Sequence, residues 1–410
     1  MEFFGQVIIY LMMFFLVVGA VCYAFKPESE LGNEFREGIQ VIGHIFIPVA
    51  GMMAMIPILA ELINLYVAPI YALVQSDPSI AVSTFIPSDQ GAYMLAHKVA
   101  GSHSAWILAY AVSMTAGTTI AFTVPIGLAM LEKKDHKFMA LGVMSGLLAI
   151  PFAAFIIVLL LQQSGVLLRE APSTEGAGTL PFDLPFAQIV LNLAPLMVMM
   201  IALSLLLRFK TRATIHGFLV FGHSLRILTT LVLAACAVEY FTGLFSTLFG
   251  GWALAPFIAD ADEQFRALEV AGYIGVMLAG AFPFIYVLRK VLEKPMARVG
   301  RKIGISDAGM VGFIAAATNA LALFRLYPQM TAKEKVLTVA FTVCAGFAFG
   351  DFLAFTANFQ PNMIGAMILG KVLGGLIAVG IALWLSVPVA RRLEHADDAP
   401  REERLCHSGA

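Results

Sequence analysis

The sequence predicts an all-α polytopic membrane protein of about nine transmembrane helices plus two re-entrant hairpins, arranged as an inverted-topology repeat. Three observations lead there. The 410 residues are 60% hydrophobic and only 13% charged, against about 45–50% and about 25% in soluble domains. Apolar runs recur that are long enough to cross a bilayer, which takes about 20 residues. Lys and Arg cluster in alternate loops, as they do on the cytoplasmic side of a membrane. The mean hydropathy of +0.85 excludes a soluble multidomain enzyme. A net charge of −1 offers nucleic acid no electrostatic footing, so the expected surroundings are a lipid bilayer.

The runs fall at about 3–25, 38–61, 103–130, 138–163, 185–207, 214–242, 266–289, 334–358 and 362–389. The first has no basic segment before it and no small-x-small cleavage site, so it reads as a retained helix rather than a signal peptide. Two further stretches, about 79–101 and 305–328, are broken at their midpoints by Ile86-Pro87-Ser88-Asp89-Gln90-Gly91 and by Ala317-Thr318-Asn319. Each could span fully or turn back as two half-helices. Basic residues favour the second reading. Lys133, Lys134 and Lys137 mark one loop, Arg208, Lys210 and Arg212 another, and Arg289 to Lys302 a third, while the tail begins Arg391-Arg392. Making 305–328 a full span would export Lys333, Lys335 and that tail, against the positive-inside rule. The resulting topology puts the N-terminus outside, the C-terminus in the cytoplasm, and segment 62–75, with Pro69, along the interface.

A weak internal repeat accompanies this topology. Ser76-Asp77-Pro78-Ser79 precedes Asp89 as Ser306-Asp307-Ala308-Gly309 precedes Asn319, and Leu141-Gly142-x-x-x-Gly146 matches Leu369-Gly370-x-x-x-Gly374. Residues 1–390 form a single transmembrane transport domain, with repeat one at about 38–163 and repeat two at about 266–389; 391–410 is a polar cytoplasmic tail. Broken helices meeting at an inverted-repeat interface are a transporter architecture. Irregular backbone at membrane depth survives only where protein buries it or where it lines a wet cavity.

Ionisable residues at depth are candidate functional groups. Asp89 reads either as a turn-forming acid or as a carboxylate facing a central cavity, ready for a cation; Ser88 and Gln90 flank it. Asp351 and Lys371 share a depth on antiparallel helices. They suggest a buried ion pair, as structural glue or as a gating element of the site, which would leave Asp89 the better cation ligand. Thr318 and Asn319 offer hydrogen bonds to a hydroxyl, or Asn319 simply caps the following half-helix. His216, His223, Arg226 and Thr230 form a stripe along 214–242 that either lines a cytoplasmic exit or makes scaffold contacts. Met52, Met53 and Met55 read as ordinary apolar packing. Glu132, Asp135 and His136 read as solvated loop charges. Cys22, Cys236, Cys344 and Cys406 form neither a disulfide framework nor a zinc pattern. HExxH, GxSxG and Walker sequences are missing, so the expectation is a non-enzyme with no catalytic residue, metal or cofactor.

Several of these residues carry a likeness to a known family. Ile9-Tyr10-Leu11-Met12-Met13-Phe14-Phe15, Asp89-Gln90-Gly91 with Leu95-Ala96-x-Lys98-x-Ala100-Gly101, Leu268-Glu269-Val270-x-Gly272-x-Ile274 with Glu293-Lys294-Pro295, and Phe347-Ala348-x-Gly350-Asp351 with Gly370-Lys371 resemble the ethanolamine permeases of the ethanolamine utilisation system, the EutH family. The likeness runs from about Val7 to Leu385. This chain departs from it at Ala92, where other members have a second glycine, and at Phe352, where some have histidine. The resemblance implies an ethanolamine permease of the bacterial inner membrane, with Asp89 on the ammonium and Ser88, Gln90, Thr318, Asn319 and Asp351 around it. It leaves room for a homo-oligomer. Entry would be facilitated or potential-driven without ATP; an ion-coupled transporter of another small amine or an organic anion is the rival reading.

Overall fold

The computed structural model describes residues 2–261 and 263–398; the remainder of the tail, with Cys406, lies outside the described residues. Nineteen α-helices follow one another, in chain order. The first nine are α1 (Glu2–Phe25), α2 (Glu30–Ala54), α3 (Ile56–Leu62), α4 (Ala68–Leu73), α5 (Ser79–Phe85), α6 (Ala92–Val99), α7 (His103–Val112), α8 (Val124–Met130) and α9 (His136–Ser164). Next come α10 (Phe186–Phe209), α11 (Thr211–Thr242), α12 (Leu244–Phe249), α13 (Ala267–Ile303), α14 (Asp307–Thr318) and α15 (Ala320–Leu326). The last are α16 (Ala332–Ala345), α17 (Asp351–Phe359), α18 (Ile364–Leu385) and α19 (Val387–Asp398). One short antiparallel ribbon, Leu167–Leu168 with Leu180–Pro181, interrupts this all-α chain.

Among the described residues, nine helical stretches are long and apolar enough to cross a membrane. The set differs from the sequence reading in two places. Residues 56–73, read as the end of one span and an interfacial segment, form a single apolar helical stretch, Ile56–Leu73. Run 334–358, read as one span, is two half-helices, α16 and α17, separated at 346–350. Its apolar composition is continuous, but Gly346 and Gly350 flank the break, and Phe347 adopts a left-handed φ of 58°. Such a conformation is a true outlier for a bulky residue. In the other half of the chain, run 103–130 stays continuous but widens into π-helical turns at Ser113–Gly117 and Thr119–Thr123.

Local chemistry sets the helix starts. Ser29, Ser102 and Ser306 each accept a hydrogen bond from a first-turn N–H, and Thr331 with Glu334 makes a capping box. These bonds satisfy donors that a helix start otherwise leaves free. In the first of the two repeated tetrapeptides Asp77 takes the N–H of Ser79 at 2.9 Å, and in the second Ser306 takes that of Gly309 at 3.2 Å. Both sequences therefore start the first arm of a broken helix.

Helix α2 packs along α13, and α9 packs along both α16 and α18. The glycine motifs explain the second contact. Gly142 and Gly146 lie against Val339 and Val343 of α16, while Gly370 and Gly374 lie against Ile157 and Ala153 of α9, with no space for a Cβ at any of them. Small residues thus let the backbones approach where lipid supplies no hydrophobic drive between helices.

Candidate functional site

Two helix–break–helix motifs and the interruption at 346–350 converge on one cavity. In the first motif, α5 ends at Phe85, the chain runs extended through Ile86 and Pro87, and Ser88–Gln90 makes a single tight turn before α6. Pro87 lacks an N–H and disfavours a helical conformation at the residue before it, which stops α5 there. Asp89 is buried at this tip, and its Oδ1 has no hydrogen-bond partner among the described residues. A buried carboxylate oxygen without a donor is costly unless a ligand completes it.

In the second motif, α14 ends at Thr318 and α15 begins after Asn319, whose Oδ1 accepts from Leu321 N–H at 2.8 Å. The half-helix end is satisfied by the neighbouring break: Phe347 N–H and Phe349 N–H donate to the carbonyls of Ala316 and Ala317 at 3.3 and 2.9 Å. Gly350 packs directly on the Thr318 carbonyl. The counterpart contact in the first half is Gly117, in the π-helical segment, against the Ile86 carbonyl. In both places a glycine admits a carbonyl from the helix break that a side chain would exclude.

The resulting cavity has a volume of about 510 Å³, within the ordinary range for small-molecule sites of about 300–1,000 Å³. It contains Asp89 and Gln90 from the first tip, Thr318 and Asn319 from the second, and Asp351 from the start of α17. Five sequence candidates far apart in the chain therefore share one wall-to-wall space. Phe122, Phe347 and Phe352 line it as well, and their rings meet edge to face at 5.7 and 6.3 Å. The cavity is also lined by Glu34, Glu37, His44, Tyr286, Arg289 and Arg325. Sequence reasoning passed over these groups. Glu34 and Glu37 precede the apolar run at 38–61, and Phe347 and Phe352 fall inside run 334–358, read as one span. The one usable signal was the spacing of Gly346 and Gly350 immediately before an acid.

Other candidates take different places. Ser88 is buried behind the tip and does not line the cavity, its Oγ unpartnered. The expected Asp351–Lys371 ion pair is not formed. Lys371 Nζ instead donates to the Met114 carbonyl at 2.5 Å and sits 4.5 Å from the centre of the Phe352 ring. Met114 lies in the π-helical turn, where the altered hydrogen-bond ladder lets a carbonyl turn outward, and the lysine stem is long enough to reach it. His223 and Arg226 bond each other, Nδ1 to Nη2 at 3.1 Å, on an exposed face of α11 outside the cavity. Asp135 is not a solvated loop charge: it is 2% exposed and paired with Lys335 at 2.7 Å. Its partner lies 200 residues away, which is why local sequence gave no sign of it.

Fold and site define a polytopic α-helical membrane protein with an internal cavity that holds Asp89 and Asp351 and is reached by two broken helices. The profile described as "Ethanolamine utilisation protein, EutH" matches residues 4–385. The chain belongs to the EutH family. It is 33% identical to a protein of Listeria monocytogenes named probable ethanolamine permease EutH, over 93% of this chain and 94% of that one. Proteins of the same name from Escherichia coli and Salmonella typhimurium are 32% and 31% identical, over 93% of this chain and 95% of each. No solved structure matches the chain.

Proposed function

We propose that the protein carries ethanolamine, as ethanolammonium, into a bacterial cell across the cytoplasmic membrane, without ATP. One observation carries this reading: a buried carboxylate oxygen on Asp89 that lacks a donor and belongs to a residue lining the shared cavity. A primary ammonium, with a pKa near that of lysine at about 10.4, is cationic at neutral pH and cannot cross hydrocarbon unaided. Asp89 replaces water around the ammonium. Gln90, Thr318 and Asn319 bond the hydroxyl, and the phenylalanine rings take the two methylenes. Names borne by relatives over nearly the whole chain support ethanolamine as the substrate.

The two broken-helix units run in opposite directions through the bilayer in this reading, with the C-terminus cytoplasmic. The part of the cavity lined by Glu34 and Arg289 then faces the cytoplasm. A negative-inside potential favours entry of the cation by about 2.3 kcal/mol per 100 mV. Uptake of labelled ethanolamine into liposomes under an imposed potential tests the proposal: saturable uptake that rises with inside-negative potential supports it, and flux no greater than in protein-free liposomes overturns it. A second reading, transport coupled to a proton or sodium ion, is favoured by the second acid, Asp351, in the same cavity. Repeating the assay with and without each gradient separates the two.

A further inference from the structure

A second, smaller cavity of about 200 Å³ lies along the same two elements as the central one. The central cavity follows α2 from Glu34 to Pro48 and the first hairpin at Pro87, Asp89 and Gln90. The smaller resumes on α2 and α3 at Met53, Ile56 and Pro57, and on α6 at Met94, His97 and Lys98. From Pro48 to Met53, and from Gln90 to Met94, the gap is about 6–8 Å at about 1.5 Å per helical residue. That is the thickness of one layer of side chains.

The layer is made of methionine against glycine. Met52 and Met53 are 4% and 6% exposed. A Cβ placed on Gly91 would stand 3.2 Å from Met53 Cγ and 3.4 Å from Met52 Cγ, and Gly91 has a φ of 104° that side-chain-bearing residues rarely adopt. The tip of the hairpin can therefore lie flat on the methionines. Thioether side chains are unbranched and repack easily, so rotamer changes open this layer without moving a helix. Met52 and Met53, which the sequence presents as plain apolar packing, thus sit on α2 where the lining of the central cavity ends at Pro48 and that of the smaller one begins at Met53.

We propose that the smaller cavity is the opposite mouth of the permeation path, admitting small primary ammonium ions, and that Met52, Met53 and Met94 over Gly91 form the gate between it and the central site. This rests on the transport reading above. Ala171, Pro172, Ala255, Glu263, Phe265 and Arg266 complete the lining of the mouth, and Arg266 is held by Asp260 at 3.0 Å, which keeps that cation from opposing a cationic solute.

The test uses Met53→Cys and Met94→Cys, each in a chain whose native cysteines are replaced, with His44→Cys as the marker of the central cavity. The probe is the membrane-impermeant reagent 2-(trimethylammonium)ethyl methanethiosulfonate, applied to right-side-out and to inside-out vesicles. Labelling is read by mass and uptake of ethanolamine is compared before and after. The expected result is labelling of positions 53 and 94 from one face and of position 44 from the other, slower labelling of Met53→Cys with saturating ethanolamine, and at least tenfold lower uptake once it is labelled. Three outcomes overturn the proposal: labelling of all three from the same face, no labelling of positions 53 and 94 from either, or complete labelling of both with uptake intact. If the unsubstituted protein moves no ethanolamine, the transport reading fails instead, while the sidedness of labelling still decides whether the cavities open to opposite faces.

Discussion

The tips of the two broken helices are built alike and finished differently. Each follows a half-helix started by a Ser-Asp sequence, and each lays a carbonyl on a glycine of a neighbouring element. At the second tip the polar side chain is engaged by its own backbone, since Asn319 Oδ1 caps α15. At the first, Asp89 Oδ1 has no partner among the described residues. The same contrast extends to other buried ionisable groups. Lys335 and Asp135 are engaged with each other, and Lys371 with a carbonyl. Engaged groups hold the fold, and Asp89 Oδ1, left without a donor, is where a ligand's charge is wanted. Substitutions at the two kinds of position should therefore dissociate stability from transport.

The largest effect is expected at the engaged pair. Lys335→Met leaves Asp135 buried without its cation, and breaking such a pair costs about 3–5 kcal/mol. Thermal denaturation of the purified protein should show a clear fall in midpoint, with ethanolamine affinity in the surviving folded fraction unchanged within about twofold. Adding Asp135→Leu to that variant removes the stranded charge and should recover most of the loss. A midpoint equal to wild type in the single variant would show that the pair is not structural.

Next is Asp89→Asn, the same shape without the charge. Hydrogen bonds to charged groups are worth about 1.5–3 kcal/mol, so initial uptake at low ethanolamine should fall roughly 100-fold while the denaturation midpoint holds or rises. Wild-type uptake in this variant would sink the assignment of Asp89. Asp351→Asn sharpens the comparison. Asp351 opens α17, where the helix N-terminus already favours a negative charge, so part of its role is structural. Its loss should cost about tenfold in uptake, or about 1.4 kcal/mol. A loss as large as that of Asp89→Asn would mean that both acids hold the same cation.

How much of this was legible in the sequence depends on the range of the interaction. Spans follow from apolar run length, and both tips from residues that stop helices locally, Pro87 before Asp89 and Asn319 after Thr318. The break at 346–350 was not legible, because glycines in an apolar run serve helix packing as often as they mark unwinding. Gly142 and Gly370 do the former. The pairing of Lys371 with the Met114 carbonyl needed knowledge of a π-helical turn in another element. Depth alone suggested Asp351 as the partner, since equal depth does not fix which way a side chain turns.

The smallest expected effect separates the two duties of Asn319. Its Oδ1 is committed to the cap, and its Nδ2 has no partner among the described residues, which leaves an amide donor for the substrate hydroxyl. Asn319→Ala removes both and should lower stability by about 1 kcal/mol, the usual value of an N-cap, while raising the KM for ethanolamine about threefold. Asn319→Ser keeps an oxygen that caps comparably well but removes the amide. Its denaturation midpoint should return to wild type while the KM stays raised. Ethylamine carries the same ammonium and no hydroxyl, so as a competitor it should inhibit wild type and Asn319→Ser equally. If ethylamine also weakens in the serine variant, Asn319 acts on the ammonium end of the site, and the two tips would then be alike in function as well as in build.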